Sequence, residues 1–527
     1  MSIGRRAFCL GLGSAAAWCA GRRCFAQEAD GAAVFLPADM DPAGGYTVKP
    51  PAQFLFTDFR HIDPGDLNWL SPEGAALPVA GPPDPPVPAV ASLGLVARGI
   101  RLVAQRAGKE GPVDGLPGRV LHDGGLYRSW SLQTNYPAGG NLGSYSNAPA
   151  ESLTVQYSES NDGYAWSGRE VCRVPVQGVT GIDGDFVFID PHGPAEERYK
   201  CIYNARVLSA PGALWSQYEK VHPRHRDIRL SADYIYCLFG MTSPDGVNWT
   251  PIPEPLLIHK GDTDNTVYYD DWLGKYVLYT RLYSMQRRMV ARAESDDFRH
   301  WTPVEPVVWP NLEDPPSYDV YTNGRTCYPG LPEHHLMFPF YYRRYTQTSE
   351  VHLLSSIDGS HWDRVPGGPV IEPGDPGDWD GEFIVAGKGL VPLGTDRIAI
   401  PYSGSTHPHK YPRWPGVIYH AAGWASWPSG RLSALVAGEE GEFCTFGVEV
   451  TGAELKVNAN IRRAGELRVG LRGVEGRTAG DCDPLTGNET AHTITWRGSS
   501  SLGIEPGQRV CLHFRLRSAE LFGFSWA

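Results

Sequence analysis

The sequence predicts an all-β protein, a five-bladed β-propeller followed by a C-terminal β-sandwich. Three observations predict this class: a turn motif that recurs four times, a change of pattern near Gly438, and a content of 61 Gly and 45 Pro among 527 residues. Gly and Pro together make up about a fifth of the chain, well above the roughly 12% of an average protein. Such an excess favours a chain rich in turns and strands over a helical one.

The recurring motif keeps Ser, Asp and Trp at constant spacing, S-x-D-x-x-x-W, and we call it the Asp box. Its four copies are SNDGYAW from Ser160, SPDGVNW from Ser243, SDDFRHW from Ser295 and SIDGSHW from Ser356. Each copy follows a short β-like run, so we predict a hairpin turn in which Asp and Gly make the reversal and Trp packs beneath it. Spacings of 83, 52 and 61 residues suit four-stranded sheets repeated around an axis. The box aspartates are therefore predicted to be structural.

Four segments follow in chain order. Residues 1–26 are predicted to be a twin-arginine-like export signal, because Arg5 and Arg6 precede an apolar stretch. Residues 27–117 hold an N-terminal strand, FLFTDFRHI, and a Pro-rich arm, and residues 118–437 form the propeller. Residues 438–527 form the sandwich, since alternating apolar and polar residues between Gly-rich turns replace the boxes there. We expect a periplasmic or secreted protein with no membrane contact after cleavage of the signal.

Charge and cysteine spacing argue against two classes of function. A net charge of −12 disfavours nucleic-acid binding, which needs a basic face. The cysteines are scattered without a CxxC pair, and neither the pair His334, His335 nor the pair His407, His409 has a third ligand at a metal-like spacing. The sequence therefore predicts no metal site and no other cofactor.

An acidic residue stands near the start of each predicted inner strand, fifteen to twenty residues beyond a box Trp. These residues are Asp185, Asp264, Asp319 and Glu382. Inner strands of a propeller face the central channel, so the four carboxylates are expected to converge there. Like charges raise some pKa values, which lets one carboxyl stay protonated as a general acid while another stays ionised. Two carboxylates flanking a sugar bond are the usual apparatus of glycoside hydrolysis.

Aromatic, arginine and histidine side chains in the same region suit a carbohydrate partner, since rings stack on sugar faces and cations hydrogen-bond hydroxyl groups. The candidate substrate-binding residues are Trp130, Arg281, Tyr321, Arg325, His335, Tyr342, Trp379 and His407.

The boxes, the strand starts DTDNTVYYD and YDVYTN and the segment WDGEFIVAGKGL resemble the glycoside hydrolase family 32-like five-bladed propeller proteins, whose architecture is shared with families 43, 68 and 130. The resemblance runs from FLFTDF to the end of the chain and implies glycosidase activity. By blade order it implies Asp264 as base or nucleophile, Asp319 as orienting stabiliser and Glu382 as general acid, with Asp185 in reserve. The WMNDPN-like, RDP and EC strings of family 32 do not occur here, which argues against invertase activity.

Three functions stay open on the sequence. The first is an exported glycosidase that acts on a furanoside or a related glycan. The second is a propeller that binds glycan without catalysis, because a fold alone does not define a function. The third is a glycoside phosphorylase that uses inorganic phosphate, with Arg287, Arg288, Arg343 and Arg344 as candidate phosphate ligands.

Overall fold

A computed structural model describes residues 26–29, 32–35, 40–41, 45–46, 53–64, 96–137, 148–209, 212–221, 234–410 and 420–527. Within these ranges nearly all regular structure is β-strand, and the one α-helix, α1, spans Gly212–Val221. Helix α1 is too short to cross a membrane, so the described part of the chain contains no candidate membrane helix. Residues 1–25 of the predicted export signal and the Pro-rich stretch from Pro72 to Pro88 lie outside the described residues.

Eight short strands come first. They are β1 (Ala26–Ala29), β2 (Ala32–Phe35), β3 (Met40–Asp41), β4 (Gly45–Tyr46), β5 (Phe54–Leu55), β6 (Ile62–Asp63), β7 (Arg101–Ala104) and β8 (Gly108–Glu110). β1 pairs with β2 and β3 with β4, whereas β5, β6 and β7 join the C-terminal sheet and β8 joins the fifth sheet segment described below. The N-terminal part of the chain therefore completes sheets formed by much later residues.

The next three segments each form one antiparallel sheet of four strands in simple order. The first sheet comprises β9 (Leu121–Asp123), β10 (Leu126–Asn135), β11 (Ser152–Ser160) and β12 (Ser167–Pro175). The second comprises β13 (Val179–Ile189), β14 (Tyr199–Leu208), β15 (Tyr234–Ser243) and β16 (Thr250–Pro251). The third comprises β17 (Thr266–Asp270), β18 (Lys275–Ser284), β19 (Arg287–Ser295) and β20 (Glu305–Val308). Helix α1, which the sequence analysis does not predict, lies between β14 and β15.

The fourth segment is split into two small sheets, and the fifth is closed by the N-terminal strand β8. The fourth contains β21 (Tyr318–Val320), β22 (Arg325–Tyr328), β23 (Leu331–Met337), β24 (Phe340–Arg343), β25 (Thr348–Val351), β26 (Leu354–Ser356) and β27 (Asp363–Arg364). The fifth contains β28 (Phe383–Ala386), β29 (Val391–Leu393), β30 (Arg397–Ser405) and β31 (Ala421–Pro428). A parallel bridge between Arg119 and Lys388 joins the fifth segment to the first. The predicted all-β class and propeller architecture are confirmed. The number of blades stays a prediction, because the fourth segment forms two separate sheets.

The C-terminal strands are long and curled. They are β32 (Ser433–Thr445), β33 (Val448–Glu449), β34 (Leu455–Leu471), β35 (Gly487–Thr493), β36 (Arg509–Val510) and β37 (Leu512–Trp526). Register shifts within β32 and β34 bend these strands, as β-bulges do. Stacked rings fill the core, with centroids 4.4 Å apart for Phe54 and Phe524 and 5.0 Å apart for Phe443 and Phe514. The predicted N-terminal strand FLFTDFRHI thus packs into this C-terminal region.

The four Asp boxes are the turns that the sequence predicts. In the second box, Oδ1 of Asp245 accepts hydrogen bonds from the backbone N–H groups of Val247 and Asn248, both at 2.8 Å. Nε1 of Trp249 donates to the Gly246 carbonyl at 3.0 Å. The same pattern recurs in the other three boxes. The box aspartates are satisfied by their own turns, which confirms the structural role predicted for them.

Three boxes also bind a neighbouring sheet segment. The carbonyl of the box Gly accepts a hydrogen bond from Trp424 at Gly163, from Trp130 at Gly246 and from Tyr279 at Gly359. The third box has Phe298 instead of Gly, with φ at +67°. Its buried ring lies 5.9 Å from Phe188 of the second sheet. Packing of this ring takes the place of the hydrogen bond that the other boxes make to the neighbouring segment. Phe298 nevertheless has a backbone conformation that favours glycine.

Candidate active site

A cavity of about 840 Å³ opens where the inner strands of the segments meet. All five segments contribute to its wall, with Arg119 before β9, Asp183 in β13, Asp264 before β17, Tyr321 after β21 and Lys388 after β28. The cavity therefore lies on the propeller axis, and the starts of inner strands line it. This is where the sequence analysis expects the chemistry.

Asp183 projects from an irregular part of β13. Its pairing with β14 shifts register on both sides, after Thr180 and before Phe186, and such bulges redirect a side chain. Oδ1 accepts a hydrogen bond of 2.7 Å from the Gly184 N–H. Burial raises the pKa of Asp183, and the nearby Asp262 carboxylate adds to that rise, which together outweigh this hydrogen bond and the Arg119 charge. Asp183 therefore keeps its proton to a higher pH than an ordinary aspartate.

Asp262 has the opposite electrostatic environment. Its Oδ2 accepts hydrogen bonds from the Tyr283 hydroxyl at 2.6 Å and from Nη1 of Arg281. Burial acts to raise the pKa of Asp262, but the Arg281 charge and the Tyr283 hydrogen bond outweigh it, so the pKa is lowered. The side chain is 30% exposed, so a ligand in the cavity can reach it. Asp262 also has φ at +52°, an uncommon conformation for a residue other than glycine and one that concentrates at functional sites.

These two carboxyl groups share one cavity and lie on loops that touch. A Cβ at Gly184, the neighbour of Asp183, would come within 2.2 Å of the Asp262 carbonyl oxygen. Because Gly184 also has φ at +62°, a side chain there is doubly disfavoured. A pair of acids whose environments push their pKa values apart is suited to one acid and one base or nucleophile.

The predicted acids Asp264 and Asp185 hold cations of the cavity wall. Asp264 is buried, and its Oδ1 lies 2.8 Å from Nζ of Lys388. The Lys388 ammonium also donates to the Asn265 carbonyl at 2.6 Å, and burial lowers its pKa. Asp185 lies one layer behind the wall, where its Oδ2 is 2.6 Å from Nη1 of Arg119. Both carboxylates therefore form ion pairs with cations of the wall.

The other two predicted acids do not reach the wall. Asp319 is fully buried, and its carboxylate binds the guanidinium groups of Arg288 and Arg344, each at 2.8 Å. It acts on the cavity only through Arg288, which lines it. Glu382 is not among the lining residues, although its neighbour Phe383 is. Of the four predicted acids the structure brings only Asp264 to the wall.

Four predicted substrate-binding residues lie at or near the cavity. Tyr321 lines it, and Tyr342 contacts Tyr321 edge to face with ring centroids 5.4 Å apart. Arg281 is buried and donates to the Tyr321 carbonyl at 2.9 Å and to Asp262. Trp130 borders the cavity but is only 4% exposed, and its indole N–H is bound by the second Asp box at 2.7 Å. Trp130 is therefore a core residue and not a platform for stacking.

The remaining four are not among the lining residues. Nη2 of Arg325 lies 2.6 Å from Nδ1 of His335, and the Arg325 guanidinium stacks 3.6 Å from the ring centre of Tyr268. The ring of Trp379 packs against Tyr402 with centroids 5.2 Å apart. The backbone N–H of His407 donates to Oγ of Ser405 at 3.1 Å.

Sequence reasoning missed Asp183 and Asp262, the two acids that the cavity exposes. A signal for both is present: each is the first member of an Asp-x-Asp pair, Asp183-Gly-Asp185 and Asp262-Thr-Asp264. The second member of each pair, which the strand-start position favours, forms an ion pair with Arg119 or Lys388. Among the described residues no group of three or more His, Cys, Asp or Glu side chains is arranged to hold a metal ion.

No protein-family model and no curated protein sequence matches this chain. Solved structures that are similar to it include an N-acetylgalactosamine deacetylase from F. plautii in complex with blood group B trisaccharide, with TM-score 0.39 and 14% identity over 64% of this chain and 97% of that chain. A β-1,2-mannobiose phosphorylase from Listeria innocua has TM-score 0.37 and 14% identity over 63% and 91%. A GH32 β-fructofuranosidase from Bombyx mori has TM-score 0.37 and 10% identity over 80% and 93%. At such identities the likeness concerns the fold.

Proposed function

We propose that this protein is a glycoside hydrolase and that Asp183 and Asp262 are its catalytic residues. The observation that carries the proposal is that one cavity holds two carboxyl groups in opposite surroundings. Asp262 accepts hydrogen bonds from Arg281 and Tyr283, whereas Asp183 accepts one from the Gly184 N–H and lies near other carboxylates, and their pKa values shift in opposite directions. The cavity volume of about 840 Å³ supports the proposal, since it falls in the range of pockets that bind small molecules and cofactors.

In this mechanism protonated Asp183 donates its proton to the oxygen of the glycosidic bond as the bond to the anomeric carbon breaks. Ionised Asp262 acts on the anomeric carbon, either directly as nucleophile or by taking a proton from an attacking water. Arg281 and Tyr283 keep Asp262 ionised and oriented through hydrogen bonds to Oδ2. The anomeric configuration of the first product distinguishes the two roles of Asp262, because direct attack retains it and water attack inverts it.

Hydrolysis is favoured over phosphorolysis by the surroundings of the four arginines predicted as phosphate ligands. Arg287 donates to the Tyr318 carbonyl at 2.8 Å, and Arg343 pairs with Glu350. Arg288 and Arg344 both bind Asp319. Arg287, Arg343 and Arg344 do not line the cavity, and Arg288, which does, is held by Asp319. The four predicted arginines therefore do not form a phosphate site there.

The test is release of reducing sugar from a panel of aryl glycosides and extracted glycans, with and without phosphate. We expect release without phosphate, reduced about 10²–10⁴-fold in Asp183→Asn and in Asp262→Asn. Asp114→Asn, which changes an exposed carboxylate outside the cavity, is the matched control and should keep full activity. Wild-type turnover in both cavity variants, or strict dependence on phosphate, would overturn the proposal.

We also propose that the protein is exported, on the support of Arg5, Arg6 and the apolar stretch that follows them. The mass of the protein recovered from the periplasm or medium of the producing cell tests this. Loss of about 26 residues is expected, and an intact N-terminus in the cytoplasm would contradict it.

A further inference from the structure

One wall of the cavity is built from alternating cations and tyrosine rings. The Arg206 guanidinium lies 5.2 Å from the ring centre of Tyr234, which contacts Tyr236 edge to face with centroids 5.5 Å apart. Nζ of Lys260 lies 4.9 Å from the ring centre of Tyr236 and 4.8 Å from that of Tyr283. All five residues line the cavity.

The same pattern continues past Tyr283. The Arg288 guanidinium lies 5.5 Å from the Tyr283 ring centre and 4.3 Å from that of Tyr321, and both residues also line the cavity. We call the three cations Arg206, Lys260 and Arg288, with the tyrosines beside them, the cation–tyrosine ladder. It runs along the wall from the second sheet to the fourth segment.

The charge of the cavity wall is opposite to that of the whole chain. Six cationic side chains and three carboxylates line the cavity, in a chain of net charge −12. One of the three carboxyl groups, Asp183, has a raised pKa, so as the pH falls it loses its charge earlier than an ordinary aspartate does. Asp185 and Asp319 pair with Arg119 and Arg288 from behind the wall, so six cations face five carboxylates and a small excess of positive charge remains.

This arrangement favours an anionic ligand over a neutral one. A neutral sugar stacks on an open aromatic face, but cations lie against the ladder rings. A guanidinium stacked on a ring still presents its edge donors, which match the two oxygens of a carboxylate or the oxygens of a sulfate. Rings beside the cations hold them in position, so less side-chain freedom is lost when the anion binds.

A sugar hydroxyl has a partner on the same wall. Asn204 lies two residues before Arg206 on β14 and lines the cavity, but it is only 2% exposed. Its Oδ1 is buried and has no hydrogen-bond partner among the described residues. A buried acceptor without a partner is costly, and a ligand hydroxyl would satisfy it.

We propose that Arg206 and Lys260 of the cation–tyrosine ladder, together with Asn204, form a subsite for an acidic sugar unit, one that carries a carboxylate or a sulfate group. Arg288 stays bound to Asp319 and completes the ladder without taking the anion. The inference rests on the proposed function, because it names the substrate class of the same cavity. Glycans with uronate or sulfated units would place the anionic group on the ladder and a hydroxyl on Asn204, with the scissile bond beside Asp183 and Asp262.

Isothermal titration of the purified full chain tests the subsite directly. The probes are galacturonate, glucuronate and glucose 6-sulfate, with the methyl ester of galacturonate and glucose as their neutral counterparts. We expect the acids to bind at least about tenfold more tightly than the neutral sugars. Raising the salt concentration from about 0.05 M to about 0.5 M should weaken binding of the acids only.

Lys260→Met and Arg206→Gln should each weaken binding of the acids about tenfold. Arg169→Gln is the matched control, because the Arg169 guanidinium lies 5.5 Å from the ring centre of Tyr157 outside the cavity, and it should leave binding unchanged. Equal affinity for galacturonate and its ester, or no binding of any acid, would overturn the subsite. The comparison of galacturonate with its ester uses the wild-type chain, so it tests the subsite even where a variant fails to fold.

The proposed hydrolase activity and the proposed acidic-sugar subsite can be contradicted independently of each other. Asp262→Asn should lose hydrolysis while it still binds the acidic probes, because the anionic group is bound by Arg206 and Lys260 and not by Asp262. Binding of acids by a wild-type protein that hydrolyses no glycan would overturn the proposed function and keep the subsite. Hydrolysis of neutral glycans without binding of any acid would overturn the subsite and keep the proposed function.

Discussion

Aspartates of the outer turns and aspartates of the cavity differ in what surrounds them. Asp245 of the second box is exposed and accepts two backbone N–H groups of its own turn, which lowers its pKa to about 2. Asp183 is partly buried beside two other carboxyl groups, and its pKa is raised. The same side chain is structural where its own turn satisfies it and suited to catalysis where distant residues remove it from water.

The three cavity aspartates differ in the groups that offset their burial. Asp264 is held by Lys388, which lies more than a hundred residues later in the chain, and Asp262 is held by Arg281 and Tyr283. Asp183 has the weakest compensation, because the Arg119 charge and one backbone hydrogen bond do not offset its burial. Asp264 and Asp183 therefore depend on contacts between sheet segments, and Asp262 depends on β18 of its own segment, whereas each box aspartate depends on seven consecutive residues.

The largest expected effect comes from breaking the ion pair of Asp264. Lys388→Met leaves the Asp264 carboxylate buried without its cation, which should lower the free energy of unfolding by about 3–5 kcal/mol. Urea denaturation measures it. The double variant Asp264→Asn with Lys388→Met should recover much of the loss, since no charge remains to be buried. If Lys388→Met were as stable as the wild type, Asp264 would not depend on a distant cation, and in this respect it would not differ from a box aspartate.

A smaller effect is expected on the pH dependence of turnover. Tyr283→Phe removes the hydrogen bond to Oδ2 of Asp262, so the pKa of Asp262 should rise. Because Asp262 works ionised, the acidic limb of the profile of kcat/KM should move to higher pH by about one unit. The basic limb of the same profile reports loss of the Asp183 proton and should stay at the same pH. An unchanged acidic limb would contradict the role given to Asp262.

The smallest effect is expected at an outer turn. The pKa of Asp245 is lowered to about 2, so its charge stabilises the fold above its ordinary value of 3.8 and this contribution is lost as the pH falls towards 2. Asp245→Asn should therefore show a smaller fall of the unfolding midpoint between about pH 4 and pH 2 than the wild type. Asp114→Asn serves as the control. An identical fall in wild type and Asp245→Asn would show that the turn does not depend on the charge.

The prediction of the fold succeeded because each box is a local structure. Asp and Gly define the turn, and the box Trp bonds back within four residues, so its spacing in the sequence is also its geometry. The third box shows the limit of such reasoning. SDDFRHW lacks the Gly but keeps the internal hydrogen bonds of the turn, and the contact of Phe298 with Phe188, which joins it to the neighbouring sheet, is visible only in the structure.

The position of acids at the starts of inner strands predicts the region of the cavity, and the catalytic roles given to those acids stay predictions. The rule that inner strands begin with acids led to the cavity, but it selected Asp264 and Asp185, which hold Lys388 and Arg119. Residues two apart on a strand differ in surroundings according to bulges, and the register shifts around Asp183 are a tertiary feature. Arg325 and His335 were chosen by residue type alone, and they bind each other away from the cavity.

By itself the sequence determined the all-β class, the four box turns and the region of the chain that surrounds the axis, because turns and strand alternation are encoded within a few consecutive residues. Only the tertiary structure decided which aspartates face the cavity, which are neutralised by cations, and which cations stack on Tyr234, Tyr236, Tyr283 and Tyr321. The physical reason is that ionisation depends on burial and on charges a few ångströms away, and these neighbours come from all five sheet segments.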